Sequence, residues 1–241
     1  MHGIHHISLR DPVLWHIPVP EHLRGVPQDD GVEAYSPPRV MPVMAELGLR
    51  ANVSADILTG WDFDNPLMRH LFVGEIKGRR PRILILSPPC TMLCMLMGWN
   101  WWRMKRGHRE ARLSQGLLHV EFSMFLADLQ EYQGCVYAFE HPKGAITWEQ
   151  SNVQRIMSRK TCLVADFDMC AFGKKSLSGD GYFKKSTRVI TNSPNIHKQL
   201  HGKRCPGNHK HVQIQGSELG QKRSAHAQIY PRQLCDALAS S

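Results

Sequence analysis

The sequence has no long hydrophobic run. None of its apolar stretches approaches the roughly 18 residues needed to span a bilayer, so no membrane partner is expected. An apolar leader core is missing as well. Met1 to Arg10 is polar and His-rich, which makes cytoplasmic or nuclear residence the expectation. The seven cysteines are odd in number and widely spread, which argues against a disulfide framework and for free thiols, a metal site or catalysis. Acidic residues are in deficit: 21 against 30 Lys and Arg give a net charge of +9, so a polyanion is the natural partner. The chain also lacks an internal repeat or a second apolar core. With 241 residues it reads as an irregular extension over 1–30 and a single α/β domain over 31–241.

What is present is organised around Arg82-Ile83-Leu84-Ile85-Leu86-Ser87-Pro88-Pro89-Cys90-Thr91. The apolar run Ile83 to Leu86 predicts a strand buried on both faces, as inside a parallel sheet. Two prolines stop it, since neither donates to the ladder and both fix φ. They hold Cys90 at the carboxyl end of the strand, the edge where open α/β sheets bind ligands. The thiol there is either a small buried residue or a nucleophile on a rigid turn.

Residues 1–30 carry histidines at 2, 5, 6, 16 and 22 and no sustained period. From Gly31 the pattern sharpens into strand (32–35), helix (40–47, ended by Gly48), strand (54–58), helix (66–77) and the central strand. That order implies parallel pairing with right-handed crossovers. Residues 109–130 predict the clearest helix, with Leu113, Leu117, Val120 and Met124 on one stripe and Leu118, Phe122, Phe125 and Leu129 on another. A further strand, 135–139, ends in Glu140-His141-Pro142, which by the same topology places Glu140 on the edge that carries Cys90. Residues 148–157 predict a helix, 163–165 and 187–192 strands, and 231–238 a final helix.

Trp99, Trp101 and Trp102 stand beside Arg103, Lys105 and Arg106, a pattern that can stack bases and grip phosphates or fold over the site as a loop. Lys184, Lys185 and the 198–210 segment add further basic clusters. Cys205-x3-His209-x-His211 offers ligands suited to zinc, with His201 or Cys170 as a fourth; a solvated or phosphate-facing loop is the other reading.

A cysteine and a carboxylate at adjacent strand ends suit one demanding reaction. Carbon-5 of cytosine is too weak a nucleophile to take a methyl group unless a thiolate first adds at C6, while an acid at N3 stabilises the charge that builds on the ring. The base must also leave the duplex. On these residues the chain resembles the cytosine-C5 DNA methyltransferases. Ser87-Pro88-Pro89-Cys90 matches their Pro-Cys nucleophile loop, and Phe139-Glu140-His141-Pro142 stands where they carry Glu-Asn-Val. Lys185-Ser186-Thr187-Arg188-Val189-Ile190-Thr191-Asn192 is similar to a segment of compact, divergent phage and mobile-element relatives. The Cys/His stretch at 205–211 and Tyr230-Pro231-Arg232-Gln233-Leu234 are similar to features of the same relatives. The likeness spans about residues 32–238.

The resemblance implies a Rossmann-like parallel-sheet methyltransferase core with a small Cys/His-rich C-terminal insertion, and a substrate-facing segment over 173–215. It implies S-adenosylmethionine held by Tyr35, Ser36, Pro37, Asp56 and Asp62, with Cys90 as nucleophile and Glu140 at N3. DNA is the implied partner, with RNA left open, gripped by Arg103, Lys105, Arg106, Lys185, Thr187 and Arg188; no obligate protein partner is implied. The chain departs from the family in three ways. Ser36-Pro37-Pro38-Arg39 has no glycine for close backbone approach to a cofactor, His141 replaces an asparagine, and little chain remains for a separate target-recognition domain. A methylase-shaped nucleic-acid-binding module of a mobile element, without turnover, is the alternative.

Overall fold

Ile83–Leu86 forms strand β3, and all four of its residues are buried because both faces of the sheet are covered. The structure is a computed structural model that describes residues 15–23, 28–94 and 101–241. Side chains alternate along β3. Leu84 and Leu86 belong to one apolar cluster, Ile83 and Ile85 to the other.

β3 pairs in parallel with β1 (Gly31–Ala34) and β4 (Val136–Pro142), and β1 pairs in parallel with β2 (Val53–Ala55). The crossovers are α1 (Val40–Glu46), α2 (Pro66–Arg79) and α3 (Arg106–Tyr132). Beyond β4 the sheet continues through β6 (Ser186–Thr191) to β5 (Leu163–Asp168), giving the order β2-β1-β3-β4-β6-β5. The chain is therefore α/β with a mostly parallel six-stranded sheet.

β6 departs from the expected all-parallel sheet, since it runs antiparallel to both β4 and β5. The reason lies in the connection. Between Asp168 and Ser186 the chain has only a short 3-10 turn, Met169–Phe172, and no crossover helix to carry it back across the sheet. β6 consequently starts at the edge where β3, β4 and β5 end.

α2, α3 and α4 (Ser151–Met157) cover one face with Phe72, Val120, Phe125 and Val153; α1, α5 (Pro194–Leu200) and α7 (Arg232–Ala239) cover the other with Met41, Ile196 and Leu234. A short helix α6 (Arg223–Ala227) and a hairpin of β7 (Ser217–Glu218) and β8 (Gln221–Lys222) precede α7. The stripe expected on α3 is the face that packs, though Leu113, Leu117 and Leu118 are only partly buried. The helix expected over 148–157 is split into a 3-10 turn, Ile146–Glu149, and α4, and the second strand is shorter than expected because Asp56 caps a 3-10 turn at Ile57–Thr59.

Part of the N-terminal extension is docked. Ile17 is buried, Trp15 packs edge-on against Phe125, and Lys77 Nζ donates to the carbonyls of Trp15 and Ile17. Gly74 permits this approach, since a Cβ there would lie 3.2 Å from Pro20. His2, His5 and His6 lie outside the described residues, as does Trp99. Among the described residues no helix is long and apolar enough to cross a membrane.

Candidate active site

The chain runs from β1 to β2 on one side and then to β3 on the other, so the strand order reverses between β1 and β3. Ligands bind outside the carboxyl ends of strands at such a switch point. A cavity of about 540 Å³ opens there, within the range of roughly 300–1,000 Å³ for small-molecule sites. Its lining includes Tyr35, Ser36 and Pro37 after β1, Asp56 and Asp62 after β2, Cys90 after β3, and Glu140 in β4. The structure therefore brings together the nucleophile and carboxylate of the sequence reading with the five residues assigned to the cofactor.

β3 and β4 are paired in register, Leu86 opposite Phe139, so the chain that follows puts Cys90 and Glu140 on one edge. Cys90 is partly exposed toward the cavity. Its thiol is pushed well above the ordinary range, first by a hydrogen bond with Cys94 and then by burial; Lys185 opposes this. Glu140 is buried and accepts hydrogen bonds at both oxygens. Lys185 Nζ lies 3.4 Å from Oε1, and Tyr230 Oη donates to Oε2 at 3.2 Å. Tyr230 Oη is also 2.7 Å from Ser87 Oγ, so one phenol ties the end of β3 to the carboxylate of β4. Burial pulls the Lys185 ammonium down, but Glu140 and Cys90 more than offset it and hold it above the usual lysine range.

Lys185 was expected on phosphate. Because β6 is antiparallel, it starts at the edge where β3 and β4 end, and the residue before it lines the cavity beside Cys90 and Glu140. Thr187 is fully buried and donates to the Lys185 carbonyl, so its hydroxyl does not reach a nucleic acid. Arg188 is bound bidentately to Asp166 (2.7 and 3.1 Å) and sits 5.4 Å over the Trp148 ring. Neither residue presents itself to phosphate. Arg103, Lys105 and Arg106 are exposed. Arg103 stacks on the Trp102 ring at 4.9 Å, and Trp102 is 72% exposed. Arg106 pairs with Glu110 at 2.7 Å. The side chain of Trp101 lies outside the described residues.

On the cofactor side, the sequence reading missed three features. Glu33, inside β1, turns its carboxylate onto the N-terminus of α1, accepting from the amides of Arg39 (2.8 Å) and Val40 (3.2 Å) and from Ser54 Oγ (2.7 Å). That helix end is where a dinucleotide fold would receive a phosphate, and a buried carboxylate already fills it. Ile57 and Leu58, 68% and 80% exposed, project apolar surface at the cavity beside Asp56. Asp64 lies 3.1 Å from His119 Nε2, so Asp56, Asp62 and Asp64 line one wall with carboxylates. Tyr35 occupies the left-handed region, φ 63°, and packs its ring on Phe63. A glycine at this turn would be free of that strain.

His141, beside Glu140, is fully buried. Nδ1 meets Thr147 Oγ1 at 2.9 Å, while Nε2 has no hydrogen bond of ordinary geometry among the described residues. Burial, helped by Lys185, lowers it to about 3, so it is a neutral imidazole; the nearby Pro88 and Pro89 carbonyls oppose this only weakly.

Away from the cavity, Cys170, Cys205, His209 and His211 place their ligand atoms within 4.8 Å of one another, a group that could hold a metal ion. Of the two candidates for a fourth ligand, Cys170 joins the group. His201 instead stacks on His197, 4.6 Å between ring centres.

No protein-family model matches the chain, and no curated protein matches it in sequence.

Proposed function

We propose that this protein transfers a methyl group from S-adenosylmethionine to carbon-5 of cytosine in DNA, with Cys90 as nucleophile and Glu140 at N3. The observation that carries the reading is the convergence of Cys90 and Glu140 on one cavity at the switch point, next to a separate wall of carboxylates and apolar side chains. That wall suits the proposed cofactor. Asp56 has an oxygen left for ribose hydroxyls after accepting from Leu58 N at 3.0 Å, Ile57 and Leu58 can flank a purine, and Asp62 and Asp64 complement a cationic donor. With Glu33 filling the helix end, the wall suits a phosphate-free nucleoside better than a dinucleotide. When bound, the cofactor supplies an electrophilic methyl.

The protein's own residues do the rest. A cytosine turned out of the duplex enters the cavity, the Cys90 thiol gives its proton to solvent, and its thiolate bonds to C6 as the C5–C6 double bond opens and its electrons shift toward C5 and the N3 end of the ring, where Glu140 makes contact. Lys185 favours the thiolate and anchors the carboxylate from behind, while Tyr230 fixes its second oxygen. After C5 has gained its methyl and the demethylated cofactor has been released, loss of the C5 proton to solvent re-forms the ring double bond and expels the Cys90 thiolate.

The test is a trapping experiment. DNA containing 5-fluorocytosine has no C5 proton to lose, so the expected outcome is a covalent protein–DNA adduct dependent on S-adenosylmethionine and abolished in Cys90→Ser. An adduct that persists in Cys90→Ser would assign the chemistry elsewhere. A second reading, a methylase-shaped nucleic-acid-binding module without turnover, is favoured by Tyr35 and the two prolines where close backbone approach calls for glycine. Calorimetric titration with S-adenosylmethionine separates the two: binding supports the enzyme, and its absence supports the module.

A further inference from the structure

The Cys/His group plays no part in the chemistry above. Cys170 sits in the 3-10 turn that follows β5, and Cys205, His209 and His211 sit in the loop between α5 and β7. Cys205 Sγ is 3.6 Å from His209 Nε2 and 3.2 Å from His211 Nε2, and the two ring nitrogens are 3.1 Å apart. A tetrahedral ion with bonds of about 2.3 Å to sulfur and about 2.0–2.1 Å to nitrogen separates its ligand atoms by roughly 3.3–3.8 Å. The three separations among Cys205, His209 and His211 therefore match one ion to within a few tenths of an ångström, and the Cys170 sulfur lies within 4.8 Å of each of these atoms. The Gly207 amide also donates to Cys205 Sγ at 3.4 Å, a contact that favours a thiolate.

Such a cross-link would join a segment that carries no buried side chain of its own. All of residues 201–226 are described and none of them is buried, so no buried apolar side chain anchors this segment. It is tied to the rest of the fold by backbone bonds, Asp168 N to Lys203 O (2.9 Å), Tyr182 N to Lys210 O (2.9 Å) and Val212 N to Tyr182 O (3.0 Å), and by side chains, with Cys205 N donating to Asp168 Oδ2 (3.0 Å), Arg204 paired with Asp166 (3.5 Å) and Leu177 N donating to Glu218 (3.1 Å). Gly181 lies so close that a Cβ there would be 2.9 Å from the Lys210 carbonyl. The Tyr182 ring packs on His209, 4.3 Å between ring centres. Three residues after Tyr182 stands Lys185, whose carbonyl accepts from Met169 N, one residue before Cys170.

We propose that Cys170, Cys205, His209 and His211 form a structural zinc site that locks the 201–212 loop to the end of β5 and to the 182–185 segment that delivers Lys185 into the cavity. Four protein ligands leave no open coordination position, which is the mark of a structural site. Two thiolates with two imidazoles select zinc over hard cations such as magnesium or calcium. The site stands on its own geometry and does not depend on the methyl-transfer reading.

The experiment uses the full chain expressed with added zinc. Metal analysis is expected to give about one zinc per chain in the wild type and in Cys162→Ser, and under about a tenth of that in Cys205→Ser and in the double variant His209→Ala/His211→Ala. Should these variants fail to fold, cobalt(II) added to chelator-treated wild type decides the matter, with intense tetrahedral d–d bands and a thiolate-to-cobalt charge-transfer band expected. Hydrogen exchange after chelation should speed at the Tyr182 and Val212 amides while β3 and β4 keep their protection. Absence of stoichiometric zinc, zinc retained in Cys205→Ser, or a cobalt spectrum without the charge-transfer band overturns the site. Unchanged exchange at Tyr182 and Val212 overturns the locking role.

Discussion

Lys185 Nζ stands 3.4 Å from Glu140 Oε1, joining the start of an antiparallel strand to the end of the parallel strand beside it. The pair sets the electrostatics of the cavity, because the same ammonium lowers the pKa of the Cys90 thiol against the effects of Cys94 and burial. Replacing Lys185 with Met should therefore slow alkylation of Cys90 by iodoacetamide at pH 8 by roughly tenfold, since the thiolate is the reacting form. Mass spectrometry of the Cys90 peptide reads the rate directly. An unchanged rate would show that the ammonium does not act on the sulfur.

Tyr230 is the second brace on Glu140 and the only one that also reaches Ser87 among the hydrogen bonds described. Tyr230→Phe keeps the buried ring and deletes two hydrogen bonds, leaving one carboxylate oxygen short of a partner. The expected cost is about 1–3 kcal/mol of stability, read from the urea midpoint. The same variant should lower the yield of 5-fluorocytosine adduct, because the carboxylate loses its fixed position. A midpoint and an adduct yield both equal to wild type would show that the phenol is dispensable.

The edge that carries the site was legible because short apolar runs end in proline-marked turns. Ile83–Leu86 before Pro88-Pro89 announces a buried strand and where it stops; the run up to Phe139 announces another, although β4 continues three residues further, through Pro142, because Glu140, His141 and Pro142 pair with β6. The direction of β6 was not legible, since alternation in Thr187–Asn192 carries no sign of parallel or antiparallel pairing. That single unknown moved Lys185 from the phosphate-facing surface to the cavity and turned Thr187 and Arg188 inward. Glu33 was invisible for another reason: a carboxylate inside a four-residue buried strand makes sense only once the amides of Arg39 and Val40 are seen above it. The ligand group at 170 and 205–211 was half legible. Local spacing reveals Cys205, His209 and His211, but choosing Cys170 over His201 requires knowing that β5 ends against that loop.

His141 predicts a pH dependence. Buried and neutral, it titrates at about 3 in the folded chain, against about 6.5 when exposed in the unfolded chain. Above pH 6.5 neither state takes up the proton, and the stability associated with this lowered pKa is fully present. As the pH falls below 6.5 the unfolded chain binds a proton that the folded chain refuses, so stability declines down to about pH 3, by at most about 1.4 kcal/mol per pH unit. Asp166, lowered to about 2 by Arg188 and Lys143 against the effect of burial, loses its contribution only below its ordinary range, so the two windows separate above pH 4. Urea midpoints at pH 7 and pH 5 should converge in His141→Gln relative to wild type. Equal pH slopes in the two proteins would show that His141 is not the titrating group.

Glu33 inside β1 and Asp56 just after the neighbouring β2 are both acids, yet they should behave oppositely. Asp56 lines the cavity, and Asp56→Ala should weaken S-adenosylmethionine binding by about tenfold or more in calorimetry while costing little stability beyond its cap. Glu33 faces α1, and Glu33→Ala should destabilise the fold by about 1–3 kcal/mol by stripping the partners from two helix amides and Ser54. Unchanged affinity for S-adenosylmethionine in Asp56→Ala would count against the proposed ribose contact.

Arg188 and Arg103 offer the sharpest contrast among the residues assigned to the proposed nucleic-acid contact. Arg188 is held by Asp166 and stacked on Trp148, whereas Arg103 is exposed beside exposed Trp102. Arg188→Ala should therefore cost stability, about 1–3 kcal/mol, because the pair is mostly shielded from solvent. It should leave the salt dependence of DNA binding unchanged. Arg103→Ala should leave the urea midpoint within about 0.5 kcal/mol and reduce the slope of log affinity against log salt by about one, as expected for one lost phosphate contact. Fluorescence anisotropy with a labelled duplex at several salt concentrations measures both slopes. A slope change in Arg188→Ala without loss of stability would return that arginine to the phosphate-binding surface.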